Sequence, residues 1–195
     1  MGTPHDPHGA AAGTAEGTPS VRVTVRTAED MRELGRRLAA LLVPGDLVLL
    51  TGELGAGKTT LTRGLGEALG VRGAVTSPTF VIARVHPSLT DGPALVHVDA
   101  YRLGGGLDEM EDLDLDVSLP ESVVVVEWGE GKVEDLSDAR LQVVIGRTLG
   151  EEQRRKSGEE GADAFGSAGE DDVREVTVIG IGPRWLGQDL APLAR

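Results

Sequence analysis

The stretch DLVLLTGELGAGKTTL, residues 46–61, sets an apolar run directly before glycines at 52, 55 and 57, a lysine at 58 and threonines at 59 and 60. Gly52, Gly57, Lys58 and Thr59 fit the spacing G-x-x-x-x-G-K-[ST], which demands a strand, a tight loop and a helix in that order. Glycines open backbone conformations closed to other residues, so that consecutive N–H groups around Gly55, Ala56 and Gly57 can converge on an anion. The following TTLTRGLGEALG reads as a helix whose first turn, at Thr59 and Thr60, adds free N–H groups and a positive dipole. A phosphate is the natural guest. Lys58 is expected to reach the β and γ phosphates and the Thr59 hydroxyl to ligate Mg²⁺. A glycine-rich turn that binds nothing is the alternative; the strand before, the helix after and the complete spacing argue against it.

Composition narrows the classes. At 195 residues the chain supports one domain with tails. Lys and Arg number 19 against 32 Asp and Glu, a net charge of −13 that opposes direct binding of RNA or anionic membranes. There is no cysteine, which excludes disulfides, zinc-thiolate sites and thiol nucleophiles. The absence of asparagine removes the Asn-Lys-x-Asp guanine reader, so the expected nucleotide is ATP rather than GTP. No basic, apolar leader opens the chain and no apolar run approaches bilayer length, so a cytoplasmic protein with no membrane partner is expected.

Residues 1–19, rich in Gly, Pro, Ala and Thr without hydrophobic periodicity, read as a disordered extension. The remainder, 20–195, reads as a single P-loop ATPase domain. VRVTVR, 21–26, alternates as a half-buried strand does. Thr27 and Asp30 then signal a capped helix with an apolar face at Met31, Leu34, Leu38, Leu41 and Leu42. DLVLL, LVHVD and VVVVE have the composition of strands buried between helices. ARLQVVIGR and VREVTVIGIG read as two further strands, placed as antiparallel partners. The charged, glycine-dotted 149–172 between them reads as a disordered acidic loop insertion. PRWLGQDLAPLAR reads as a short helix. The predicted class is α/β and P-loop NTPase-like: a mostly parallel central sheet flanked by helices, with antiparallel strands toward the C-terminus.

The apolar strands end in polar groups, where an open α/β sheet gathers its ligands. Asp99 closes LVHVD as a Walker B acid does and is the candidate to serve Mg²⁺ through Thr59 or water; an acid capping a strand end or a turn is the alternative. Glu127 closes VVVVE and is placed to orient attacking water. His97 shares a strand face with Asp99 and reads equally as a buried histidine satisfied by a backbone carbonyl or as a catalytic group. Arg102 reads equally as a phosphate ligand or a structural ion pair. Trp128 either lies against the nucleotide or packs. TSPTF, 76–80, offers Ser77 and Thr79 where NTPases place a γ-phosphate sensor, with a proline turn as the plain alternative.

In this order and spacing, GELGAGKTT, TSPTF, HVDAYR and VEWGE resemble the TsaE (YjeE) family over residues 20–147. That family supplies the ATPase subunit of the bacterial machinery that makes threonylcarbamoyladenosine on tRNA. The resemblance implies that Lys58 and Thr59 hold ATP and Mg²⁺, that Thr79 lies in a switch-like segment, that Asp99 serves the metal, and that Glu127 and Trp128 line the site. It also implies TsaD-like and TsaB-like protein partners, tRNA being met only through the complex. Glu53 stands where the family usually has aspartate, and neither the N-terminal extension nor 149–172 belongs to the pattern.

Two other readings compete. A small-molecule kinase needs an arginine-bearing lid, whereas the segment after Arg102, GGGLDEMEDLDLD, is acidic and repels phosphate. A non-enzymatic interaction module would use nucleotide only to fix its shape, and turnover with partners separates it from the ATPase.

Overall fold

The structure, a computed structural model, describes residues 17–78, 82–102, 119–131, 137–147 and 173–195. Strand β1 (Ser20–Val25) leads into helix α1 (Ala28–Ala39), β2 (Leu47–Gly52) and helix α2 (Lys58–Leu69). Then come β3 (Ala83–His86), β4 (Ala94–Asp99), β5 (Ser122–Glu127), β6 (Arg140–Arg147) and β7 (Arg174–Ile181). The seven strands form one sheet in the order β1-β7-β6-β2-β5-β4-β3.

β2 pairs in parallel with β5 on one side and β6 on the other, and β5 pairs in parallel with β4. Three of these four parallel strands, β2, β4 and β5, are the predicted centre; β6, expected only as an antiparallel strand, joins them because it pairs in parallel with β2 and antiparallel with β7. β7 runs antiparallel between β6 and β1, as the C-terminal strands predict. Antiparallel pairing also occurs at the far edge, where β3 meets β4. Seven residues join those two strands, too few for the crossover that parallel pairing needs.

Burial explains the sequence patterns. Val48 and Leu50 of β2, Leu95 of β4 and Val123 and Val125 of β5 face α1 and α2. Their neighbours Leu47, Leu49, Val96, Val98, Val124 and Val126 form a second core on the opposite face with Ile82, Ala83 and Leu119. Strands covered on both sides carry unbroken apolar runs. β7, in contrast, buries alternate residues only.

Helix α1 begins as its sequence predicts. Asp30 N–H donates to Thr27 Oγ1 at 3.0 Å, and Thr27 N–H donates to Asp30 Oδ2 at 3.0 Å, a reciprocal capping box. Met31, Leu34, Leu38 and Leu42 are buried, each full aliphatic burial being worth about 1.5–3 kcal/mol. The two helices meet backbone to backbone. A Cβ at Gly35 would strike the Leu61 carbonyl, and one at Gly64 the Arg32 carbonyl.

At the C-terminus the predicted short helix is replaced by two 3₁₀ turns, Pro183–Trp185 and Ala191–Ala194. Gly187 at φ +77° breaks the run and Pro192 removes a donor, so no α-helix can nucleate across it. Trp185 is wholly buried, its ring covered by the Arg184 guanidinium 4.4 Å away. At the other end Pro19, inside the expected extension, already belongs to the sheet edge, its carbonyl accepting from Gly180 N–H at 2.9 Å. Residues 1–16 and 149–172, both read as disordered, lie outside the described residues.

Candidate functional site

The loop between β2 and α2 ends at Gly57, the N-cap of α2, in left-handed backbone at φ +106°. An L side chain is strained in that conformation, and a Cβ there would stand 3.2 Å from Met31 Cε. No side chain caps α2, in contrast to the boxed start of α1. Its first N–H groups therefore keep their capacity for an external anion.

Lys58 follows at once. Its Nζ donates to the carbonyls of Gly52 at 2.7 Å and Glu53 at 2.9 Å and lies 3.7 Å from the Trp128 ring centroid. Burial pushes its ammonium below the ordinary lysine range, and the carboxylates of Glu127 and Asp99 oppose that shift. Trp128 sits at φ +62°, the one positive value for a non-glycine among the described residues. Strain of this kind persists where surrounding structure imposes it, often at functional sites. The conformation follows β5 directly and brings the indole over Lys58, with Tyr101 tilted against it at 5.5 Å between centroids.

The carboxylates divide their partners differently from the sequence expectation. Thr59 Oγ1 donates to Glu127, 3.0 Å from Oε1 and 3.4 Å from Oε2. The expected link from Thr59 to Asp99 is not among the described contacts. Asp99 Oδ1 instead accepts from Tyr101 N–H at 3.1 Å, a local turn closure by a short side chain that favours its own backbone. His97 is fully buried, and its partner is neither a backbone carbonyl nor Asp99 but Glu127, with Nε2 2.8 Å from Oε1. Strand pairing is the cause. Asp99 stands directly opposite Glu127 and His97 opposite Val125, so the imidazole reaches Glu127 along the diagonal of the same face.

Leu54, Gly55, Ala56, Gly57, Lys58, Thr59, Thr60, Ser77, Asp99, Tyr101, Glu127 and Trp128 enclose one cavity of about 650 Å³. Such a volume accommodates a nucleotide-sized ligand. The structure thus gathers the predicted Lys58, Thr59, Asp99, Glu127 and Trp128, and Gly52 joins through its carbonyl on Lys58. Thr79 and the Arg102 side chain lie outside the described residues. Glu130 is exposed. The contacts missed from sequence are Glu127 to Thr59 and to His97. Their one legible signal was parity, since His97, Asp99 and Glu127 occupy like positions on neighbouring strands.

The donor set fits magnesium. A hydroxyl and two carboxylates are hard oxygen ligands at the Lys58 end of the cavity. Among the described residues no three His, Asp or Glu groups cluster to hold a metal by themselves. That suits an ion whose shell is completed by phosphates and water rather than by a protein cage.

The family model described as "Threonylcarbamoyl adenosine biosynthesis protein TsaE" matches residues 25–156. A relative from Streptomyces coelicolor bearing the name tRNA threonylcarbamoyladenosine biosynthesis protein TsaE is 68% identical over 164 residues, 84% of this chain and 99% of that protein. One of the same name from Mycobacterium bovis is 50% identical over 130 residues, covering 64% of this chain and 77% of its own. Among solved structures, the crystal structure of YdiB from Bacillus subtilis superposes with a TM-score of 0.61 at 30% identity, covering 88% of this chain and 92% of that one.

Proposed function

The chain belongs to the TsaE family, which serves tRNA threonylcarbamoyladenosine biosynthesis, and on that premise we propose that it is the Mg²⁺-dependent ATP-binding and ATP-hydrolysing subunit of that pathway. One observation carries the reading: Lys58, Thr59, Asp99 and Glu127 converge in a single cavity at the uncapped N-terminus of α2.

In this reading the N–H groups of Gly55, Ala56, Gly57, Thr59 and Thr60 cradle the phosphates. Lys58 supplies the charge and Trp128 backs its ammonium. Thr59, with Glu127 against its hydroxyl and Asp99 in the same cavity, would hold Mg²⁺, which when bound neutralises phosphate charge. Glu127 also stands where it can orient a water for attack.

Lys58 is the sole basic side chain lining that cavity among the described residues. Phosphoryl transfer gains about 10³–10⁵ in rate when a missing positive charge is supplied. The subunit is therefore weak alone and is stimulated by TsaD-like and TsaB-like partners. With a net charge of −13 it meets tRNA through the complex rather than by its own surface. Among the described residues no helix is long and apolar enough to cross a membrane, and a cytoplasmic site of action is part of the proposal. One domain, 20–195, carries this chemistry, with 1–19 and 149–172 as accessory segments.

The test is ATP turnover alone and with the two partner subunits, joined to mass spectrometry of tRNA nucleosides from cells lacking the protein. Stimulation by the partners and loss of threonylcarbamoyladenosine are expected. Normal nucleoside levels would refute the pathway role, and turnover without any partner effect would refute the assembly.

A further inference from the structure

Beneath the cavity lies a histidine that the phosphate chemistry does not call for. His97 is fully buried on β4 between Val96 and Val98, and a valine or leucine would fill the site without any polar demand. Its Nε2 meets Glu127 Oε1 at 2.8 Å, while its Nδ1 is buried with no hydrogen-bond partner among the described residues. A buried polar atom left unsatisfied costs about 1–3 kcal/mol, so its retention calls for an explanation. Because a carboxylate accepts, Nε2 carries the proton in this contact.

Glu127 is pinned unequally. Oε1 takes both the imidazole N–H and, at 3.0 Å, the Thr59 hydroxyl; Oε2 has only the longer 3.4 Å approach to that hydroxyl. Thr59 cannot be what fixes the carboxylate throughout a cycle, since its hydroxyl is also wanted at the metal end of the cavity. The Lys58 ammonium lies near enough to Glu127 to feel its charge, so a carboxylate free to turn would be drawn toward it.

We propose that His97 is the positioning residue for Glu127: it anchors Oε1 from within the sheet and leaves Oε2 facing the cavity for the cation end of Mg·ATP. This rests on the nucleotide reading of the site and extends it to a residue that touches neither nucleotide nor metal. His97 acts only through Glu127.

The test compares His97→Leu, which removes the donor at similar volume, with His97→Gln, whose amide N–H reaches about as far as Nε2. Full-length proteins are measured for ATP affinity in EDTA, for ATP affinity in Mg²⁺, for partner-stimulated turnover and for melting temperature. For His97→Leu, EDTA affinity should stay within about twofold and the gain in affinity on adding Mg²⁺ should fall about tenfold. Turnover should fall at least as much, and the melting temperature should change by no more than a few degrees, because relief of the orphaned Nδ1 offsets the donor that the buried Glu127 carboxylate loses. His97→Gln should recover most of both losses. Adding His97→Leu to Glu127→Gln should lose nothing further.

A His97→Leu protein with wild-type Mg²⁺ gain and turnover overturns the proposal. So does one that loses EDTA affinity and melting temperature together, which marks a purely structural residue. Additive losses in the double variant also overturn it. If His97→Leu does not fold, His97→Asn, too short to reach Oε1, takes its place with the same expected outcomes. Failure of the wild-type protein to bind ATP in EDTA would sink the nucleotide reading itself, a result distinct from any of these.

Discussion

The Thr59 hydroxyl donates to the carboxylate of Glu127, 68 residues further along the chain, and not to Asp99, which closes the neighbouring strand. Glu127→Gln should therefore erode the Mg²⁺-dependent part of ATP affinity by about tenfold to a hundredfold, the range for a hydrogen bond to a charged group. Asp99→Asn should cost less than about tenfold by the same scale. Calorimetry with and without Mg²⁺ ranks the two, and the reverse order would return the metal to Asp99.

Lys58 combines two carbonyl bonds, an indole face and two nearby carboxylates in a half-dry pocket. Lys58→Ala removes the one cation that lines the cavity among the described residues. ATP affinity should drop about tenfold to a hundredfold, and stimulation by partners should vanish. Unchanged affinity by calorimetry would mean that the phosphates sit elsewhere.

Trp128 reports the site. Of the two tryptophans, Trp185 is wholly buried beside the C-terminal turns, whereas Trp128 lines the cavity over Lys58. ATP should change the emission of the wild-type protein and of Trp185→Phe, and leave Trp128→Phe silent. A persistent signal in Trp128→Phe would place the responding tryptophan away from the site.

The helix pair offers a test of packing. Gly→Ala within a helix ordinarily gains about 1 kcal/mol. At Gly64 the new methyl would meet the Arg32 carbonyl, and overpacking costs about 1–3 kcal/mol or more. Gly64→Ala should lower the melting temperature by roughly 2–8 °C, read by circular dichroism. A rise would show that the backbones do not approach as drawn.

The two segments read from the sequence as disordered should be removable. Arg147 and Arg174 are register partners in β6 and β7, so an Asn-Gly turn in place of 148–173 can close the hairpin. Melting temperature should hold or rise by a few degrees, because a shorter loop loses less entropy on closure. Deleting 1–16 should be silent as well. Deleting 1–19 should lower the melting temperature by about 2–4 °C, since the Gly180 N–H loses Pro19. A silent 1–19 deletion would show that this bond adds nothing to the sheet edge.

Local chemistry made much of the molecule legible before any coordinates. Thr27 and Asp30 announce α1 because a capping box is complete within four residues, and the glycines and lysine at 52–58 announce the phosphate loop because its backbone demands are local. Apolar runs in β2 and β5, the run of β4 broken only by His97, and alternation in β1 told central strands from one covered on a single face, since burial imposes those patterns directly. Which acid meets Thr59 could not be read this way. Asp99 and Glu127 both end apolar strands, and the choice depends on the parallel register of β4 with β5 and on a local turn that draws Asp99 to Tyr101. His97 likewise became a partner of Glu127 only through the diagonal that pairing creates. A chain records which residues face the same way along each strand, but the alignment of one strand against another is a property of the folded sheet, and it is there that these contacts were decided.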